Sequence, residues 1–187
     1  MSIARLRIDH TAVLVIDVQE RLLPTIVDRD RLVNNCSVLV RATQELGVPT
    51  LMTEQYVKGL GRTVDSLAHC LPNPAARIEK TRFSGLVELV DQQLKSWGTR
   101  SVLVCGLEAH VCVLQTVLDI QSSGLQAFVA TDAISASNRD QIQPALSRMQ
   151  ASGAILTGVL SALYELMEDA RHPAFRTCLE LVKQIQP

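Results

Sequence analysis

"TAVLVIDV", Thr11–Val18, is the stretch on which the fold turns. It is a nearly unbroken run of apolar, mostly β-branched side chains, with one carboxylate, Asp17, close to its end. A strand with one face in water alternates apolar and polar residues, whereas a strand covered on both faces does not. The run therefore predicts a strand inside a parallel sheet with helices on both sides. The same pattern returns in "VPTLMT" (48–53), "SVLVCG" (101–106), "LQAFVA" (125–130) and "GAILTG" (153–158), with a shorter strand, "RIEK", at 77–80.

Helical spacing fills the intervals. "RLVNNCSVLVRATQELG" (31–47) places Leu32, Cys36, Leu39, Val40 and Leu46 on a common face. Asp28 or Asp30 is expected to cap its start, and Gly47 its exit. The segments 84–98, 110–124 and 138–153 follow, each ending in a glycine just ahead of the next strand. Pro144 falls in the first turn of the third, where its missing N–H costs little. The tail, split by His172-Pro173, predicts two more helices. This alternation predicts an open α/β sheet in one domain spanning 1–187. Its one long irregular stretch, about Glu54 to Ala76, contains Gly59, Gly61, Pro72 and Pro74 and is expected to form a lid or binding loop.

Composition narrows the function. With 18 basic and 19 acidic residues in 187, the formal charge is −1, and no charge run stands out to attract a polyanion or a membrane surface. One tryptophan, two tyrosines and three phenylalanines are too few and too scattered to stack bases. Nucleic acid and membrane are therefore not expected as partners. The first residues carry no signal-peptide pattern, and the five cysteines follow no disulfide framework, so a reducing, cytoplasmic setting is expected. His69-Cys70, His110/Cys112 and Cys105/Cys112 lack metal-ligand spacing, and neither GxGxxG nor GxxxxGK[ST] occurs. No metal and no cofactor are expected.

In open α/β sheets, ligands sit beyond the carboxyl ends of the strands. Asp17 and Gln19, then Glu54, Gln55 and Tyr56, then Lys80, then "LEAHVC" occupy those ends. Cys105, inside an apolar strand, reads as core. Cys112 follows a strand exit at the start of a helix, where the dipole favours a thiolate; it is either a nucleophile or packing. Asp17 either caps a backbone N–H or takes part in chemistry, because an unpaired buried carboxylate is costly. Lys80, between Glu79 and Arg82, reads by itself as a solvated surface lysine.

Taken together, "AVLVIDVQ" with Asp17, "EKTRFSG" with Lys80 and "GLEAHVCVLQT" with Cys112 resemble the isochorismatase-like cysteine hydrolases, in the order and separation of that family's Asp–Lys–Cys triad. "LMTEQYVKGLG" and "RHPAFRTCLELVK" look most like the isochorismatase domain-containing subgroup, whose substrates are poorly defined. The resemblance covers nearly the whole chain. It implies a three-layer α-β-α sandwich with a six-stranded parallel sheet in the order 3-2-1-4-5-6, and a homo-oligomer. It also implies a cis peptide at Leu107–Glu108 and an oxyanion hole from the N–H groups of Glu108 and Cys112. Metal-dependent nicotinamidases of the superfamily carry a histidine cluster after strand two, where this chain has "TEQYVKGLG". Members that cleave isochorismate through the acid alone lack the cysteine.

The expected chemistry is hydrolysis of a small amide or related C–N bond through a thioester. Lys80 would keep Cys112 as a thiolate and Asp17 would move the proton. Gln19, Glu54, Gln55, Tyr56 and Phe83 are the candidate pocket residues. The alternative is a non-catalytic small-molecule binder or oligomeric scaffold in which Cys112 is redox-sensitive.

Overall fold

The structure is a computed structural model that describes residues 3–71, 73 and 76–186. Six strands, all parallel, form one sheet: β1 (Thr11–Ile16), β2 (Thr50–Gln55), β3 (Arg77–Lys80), β4 (Ser101–Gly106), β5 (Gln126–Ile134) and β6 (Ile155–Thr157), in the order β3-β2-β1-β4-β5-β6. This is the expected topology. The two central strands, β1 and β4, are buried along their whole length, which explains their unbroken apolar reading.

The helices cover both faces. α1 (Arg29–Glu45) packs with α7 (Val159–Met167) and α8 (Phe175–Val182). α5 (Leu114–Ser122) packs with α6 (Ile142–Ala151), and α4 (Glu88–Ser96) precedes β4. The glycines that end α1, α4, α5 and α6 all take positive φ, the left-handed exit expected of them. Among the described residues no helix is long and apolar enough to cross a membrane.

Three features differ from the sequence reading. β5 runs to Ile134, past Thr131 and Asp132, because its pairing with β4 shifts register between Val104 and Gly106, and Gly106 then pairs with Ile134. The polar residues hid the second half of the strand. Asp28 occupies the N-cap position of α1, but in a left-handed conformation and without a side-chain cap. Its carboxylate is drawn instead to Arg139 at 3.1 Å. The irregular stretch holds two single-turn helices, α2 (Val57–Leu60) and α3 (Asp65–Ala68), and is stitched to the body by a Gln19–Thr63 antiparallel bridge. Helices of four residues are too short to show periodicity. Pro72 and Pro74 lie outside the described residues.

Candidate active site

The chain turns off β1 at Asp17, which has φ of 48° and no exposure. A left-handed non-glycine residue costs about 1–2 kcal/mol, so its surroundings must hold it. Two neighbours meet it there. The Asp17 N–H donates to the Thr53 carbonyl at 3.2 Å, and the Thr53 hydroxyl donates to Asp17 Oδ1 at 2.7 Å. From β3, Lys80 Nζ reaches Asp17 Oδ2 at 2.7 Å, with both side chains fully buried. The strand order sets this up. β2 lies between β1 and β3, and its Gln55 is in register with Lys80.

The lysine ammonium has further acceptors in Gln55 Oε1 at 2.7 Å and the carbonyls of Arg82 and Phe83, each at 3.1 Å. Three N–H bonds thus face four acceptors. Lys80 is consumed in holding Asp17 and the β3–α4 turn, and its surface-like local sequence concealed this.

Cys112 enters from the other side, on a π-helical turn, Ala109–Val113, that leads into α5. The turn is set by Val113 N–H reaching back five residues to the Glu108 carbonyl at 3.2 Å. It is anchored by Ala109 N–H on Ser135 O at 2.8 Å and by Glu108 Oε2, which accepts the Ser137 N–H at 2.6 Å. The Thr116 hydroxyl accepts from Gly85 N–H and donates to the Cys112 carbonyl, both at 2.6 Å, tying the cysteine's helix to the loop after Lys80. Gly106 is required where β4 ends. A β-carbon there would overlap the Ile16 carbonyl, and its φ is 112°.

The Cys112 thiol is buried, with 7% of the residue exposed, and its pKa is pushed up to about 12. Burial is the largest cause, and the charges of Asp17 and Glu108 add to it. Lys80 pulls the other way and is outweighed. Burial and the neighbouring carboxylates thus oppose the resting thiolate that the helix start and Lys80 favour.

The isochorismatase domain model matches residues 11–160, a span that holds Asp17, Lys80 and Cys112. The chain belongs to the isochorismatase family. Isochorismatase domain-containing protein 2 of Danio rerio is 36% identical over the whole chain and 93% of the relative. The MAR1 ribonuclease structure from Caenorhabditis elegans superposes with a TM-score of 0.93 at 33% identity, covering 98% of this chain and 95% of that one. The Escherichia coli YcaC gene product, described as an octameric hydrolase of unknown specificity, shares the fold at a TM-score of 0.84 and 24% identity, with full coverage of both chains.

Other expectations for this isochorismatase-family chain change. The Leu107–Glu108 peptide is trans, and no cis peptide bond occurs among the described residues. Gly106, at positive φ, turns the chain without one. Gln19 and Glu54 are spent on the fold rather than on a pocket. Gln19 accepts the Gln55 N–H at 2.7 Å and donates to the carbonyls of Gln55 and Gly61 at 3.0 and 2.7 Å. Glu54 accepts the N–H and hydroxyl of Thr63 and the Arg62 guanidinium, all at 2.8 Å. Gln55 serves Lys80 and also donates to the Thr81 carbonyl at 2.8 Å. Tyr56 and Phe83 are the exposed members, at 52% and 54%. Thr53 and Thr116 were not singled out, since a threonine in a strand or helix gives no sequence signal of its own. A pocket of about 590 Å³ beside the start of α1 is lined by Pro24, Ile26 and residues 28–31. Among the described residues, no group of three or more His, Cys, Asp or Glu is arranged to hold a metal ion.

Glu54 gives a testable acid dependence. Burial opposes its ionisation, but the bonds from Thr63 and Arg62 outweigh burial and lower its pKa from the ordinary glutamate value. A lowered folded-state pKa adds stability above the unfolded value that is lost as pH falls through the folded one. Glu54→Gln is expected to cost about 1–3 kcal/mol at pH 7 in urea unfolding. The gap between wild type and variant should close on acidification below about pH 4.

Proposed function

We propose that this chain is a cysteine hydrolase acting on a small amide or related C–N bond, with Cys112 as nucleophile, Asp17 as its base and Lys80 as the residue that holds Asp17. The observation that carries this reading is the buried Lys80–Asp17 pair, hydrogen-bonded at 2.7 Å, whose two charges both act on the Cys112 thiol. Structural needs alone do not call for a buried carboxylate in a left-handed conformation facing a cysteine.

As sulfur attacks the carbonyl carbon, Asp17 takes the S–H proton. The C–N bond then breaks and the amine leaves with that proton, forming the thioester. Water attacks the thioester and gives a proton to Asp17. The C–S bond breaks, the acid departs, and sulfur recovers the proton. A neutral resting thiol suits this sequence, because negative charge appears only as the substrate carbon receives it. The N–H groups of Glu108 and Cys112 are the candidate oxyanion donors. Among the described residues, neither donates to a backbone carbonyl outside its own helical turn. Each such donor is worth about 3–4 kcal/mol where measured in serine proteases.

In this reading the chain is one domain over 1–187, works in a reducing cytosol with all five thiols free, and self-associates. The exposed apolar side chains Leu160 and Tyr164 of α7, and the octamer described for the Escherichia coli relative, support the last point. In the second reading, a binder with a redox-sensitive cysteine, the raised thiol pKa supports the lack of catalysis and opposes the redox role, because oxidation proceeds through the thiolate.

A panel of small amides plus a single-stranded RNA, assayed with wild type and Cys112→Ala, separates them. Amide turnover that falls at least about 10³-fold in the variant is the expected result. Binding without turnover, retained in the variant, would favour the binder. Cleavage of RNA alone would replace the amide reading with that of the nematode relative.

A further inference from the structure

We infer that Thr53, on a strand that supplies no member of the triad, is a positioning residue that sets the readiness of Asp17 to take the Cys112 proton; this rests on the hydrolase reading above. Thr53 holds Asp17 by two separate bonds. Its carbonyl takes the Asp17 N–H at 3.2 Å, which fixes the backbone in its left-handed turn, and its hydroxyl gives a hydrogen bond to Oδ1 at 2.7 Å. The other oxygen, Oδ2, is bound by Lys80 at 2.7 Å. Each carboxylate oxygen thus carries one fixed donor before any thiol proton arrives.

A hydroxyl donating to a carboxylate favours its ionised form. The same bond fixes the plane of the carboxylate and so the directions left open to the thiol. Thr53 is 1% exposed, so water does not replace the hydroxyl if it is removed. Its methyl group packs toward Gly85, in the loop that Thr116 ties to the cysteine's helix. Valine therefore keeps the packing and loses only the donor, and serine does the reverse.

The charged and titratable groups that face Asp17 are few. Lys80 comes from β3 and Cys112 from the turn into α5, and Glu108 acts on Cys112 from the start of that turn. β2 adds no charge on this side, because the Glu54 carboxylate is committed to Arg62 and Thr63.

The experiment is the pH dependence of Cys112 alkylation by iodoacetamide, read by peptide mass spectrometry, in wild type, Thr53→Val, Thr53→Ser and Asp17→Asn. It needs no substrate. Where Asp17 assists the thiol, the rate falls on acidification as the carboxylate takes up a proton. Thr53→Val should move that acid limb up by about one pH unit, and Thr53→Ser should leave it near the wild-type position. If valine does not fold, Thr53→Ala gives the same comparison with serine. Coincident limbs in valine or alanine and wild type, with Asp17→Asn clearly different, would overturn the role of Thr53 and leave the hydrolase reading standing. An acid limb unchanged in Asp17→Asn would remove Asp17 as the base, and the role of Thr53 with it.

Discussion

Lys80→Met will destabilise the protein by about 3–5 kcal/mol, and adding Asp17→Asn will return a large part of that loss. Both partners of the pair are fully buried. Removing one leaves the other as an uncompensated charge in the interior, whereas removing both charges leaves neutral groups of similar shape. The amide introduced by Asp17→Asn still offers an oxygen to the Thr53 hydroxyl, which in the native chain bonds Oδ1 of the aspartate. Urea unfolding of the two single variants and the double variant measures the coupling directly. In a chain of this length the single change corresponds to a fall of roughly 10 °C in Tm. A loss under about 1 kcal/mol, or a double variant no better than Lys80→Met, would mean that the pair does not act as a unit.

Asp17→Asn will separate two effects that usually travel together. The charge of Asp17 raises the Cys112 pKa, so its removal lowers that value from about 12 and makes the sulfur more acidic. In the proposed mechanism turnover nevertheless falls, by about 10²–10⁴-fold, because no base remains to take the thiol proton or to return it to the leaving amine. A more acidic sulfur in a less active enzyme is the signature. It is read by pairing the alkaline midpoint of Cys112 alkylation with kcat on any amide that the panel yields. A variant whose sulfur becomes more acidic and which keeps its turnover would assign the base to another group.

The sheet was legible because β1 and β4 are buried on both faces, and such strands announce themselves as unbroken apolar runs. Cys105, wholly buried within β4, read correctly as core for the same reason. The site was legible only in part. Lys80 by itself reads as a surface residue, since Glu79 and Arg82 flank it. Its acid partner is 63 positions away in sequence, and only the resemblance joined the two. In the sequence a helix start and a nearby lysine both favour a thiolate at Cys112. Burial and the carboxylate beside it, which dominate, exist only in the folded chain. Their place at strand ends makes Gln19 and Glu54 read as pocket residues. They turn instead to the segment around Gly61–Thr63, whose path cannot be read from local pattern.

The central claim is a neutral thiol at Cys112 that loses its proton to Asp17 only as it reacts. The most direct measurement is the wild-type rate of Cys112 alkylation by iodoacetamide between pH 5 and pH 11. The expected rate at pH 7 is far below that of a full thiolate, with a rise that continues above pH 10, as a pKa of about 12 requires. Full thiolate reactivity reached by pH 7 and flat above it would show a sulfur charged at rest, and would contradict the account.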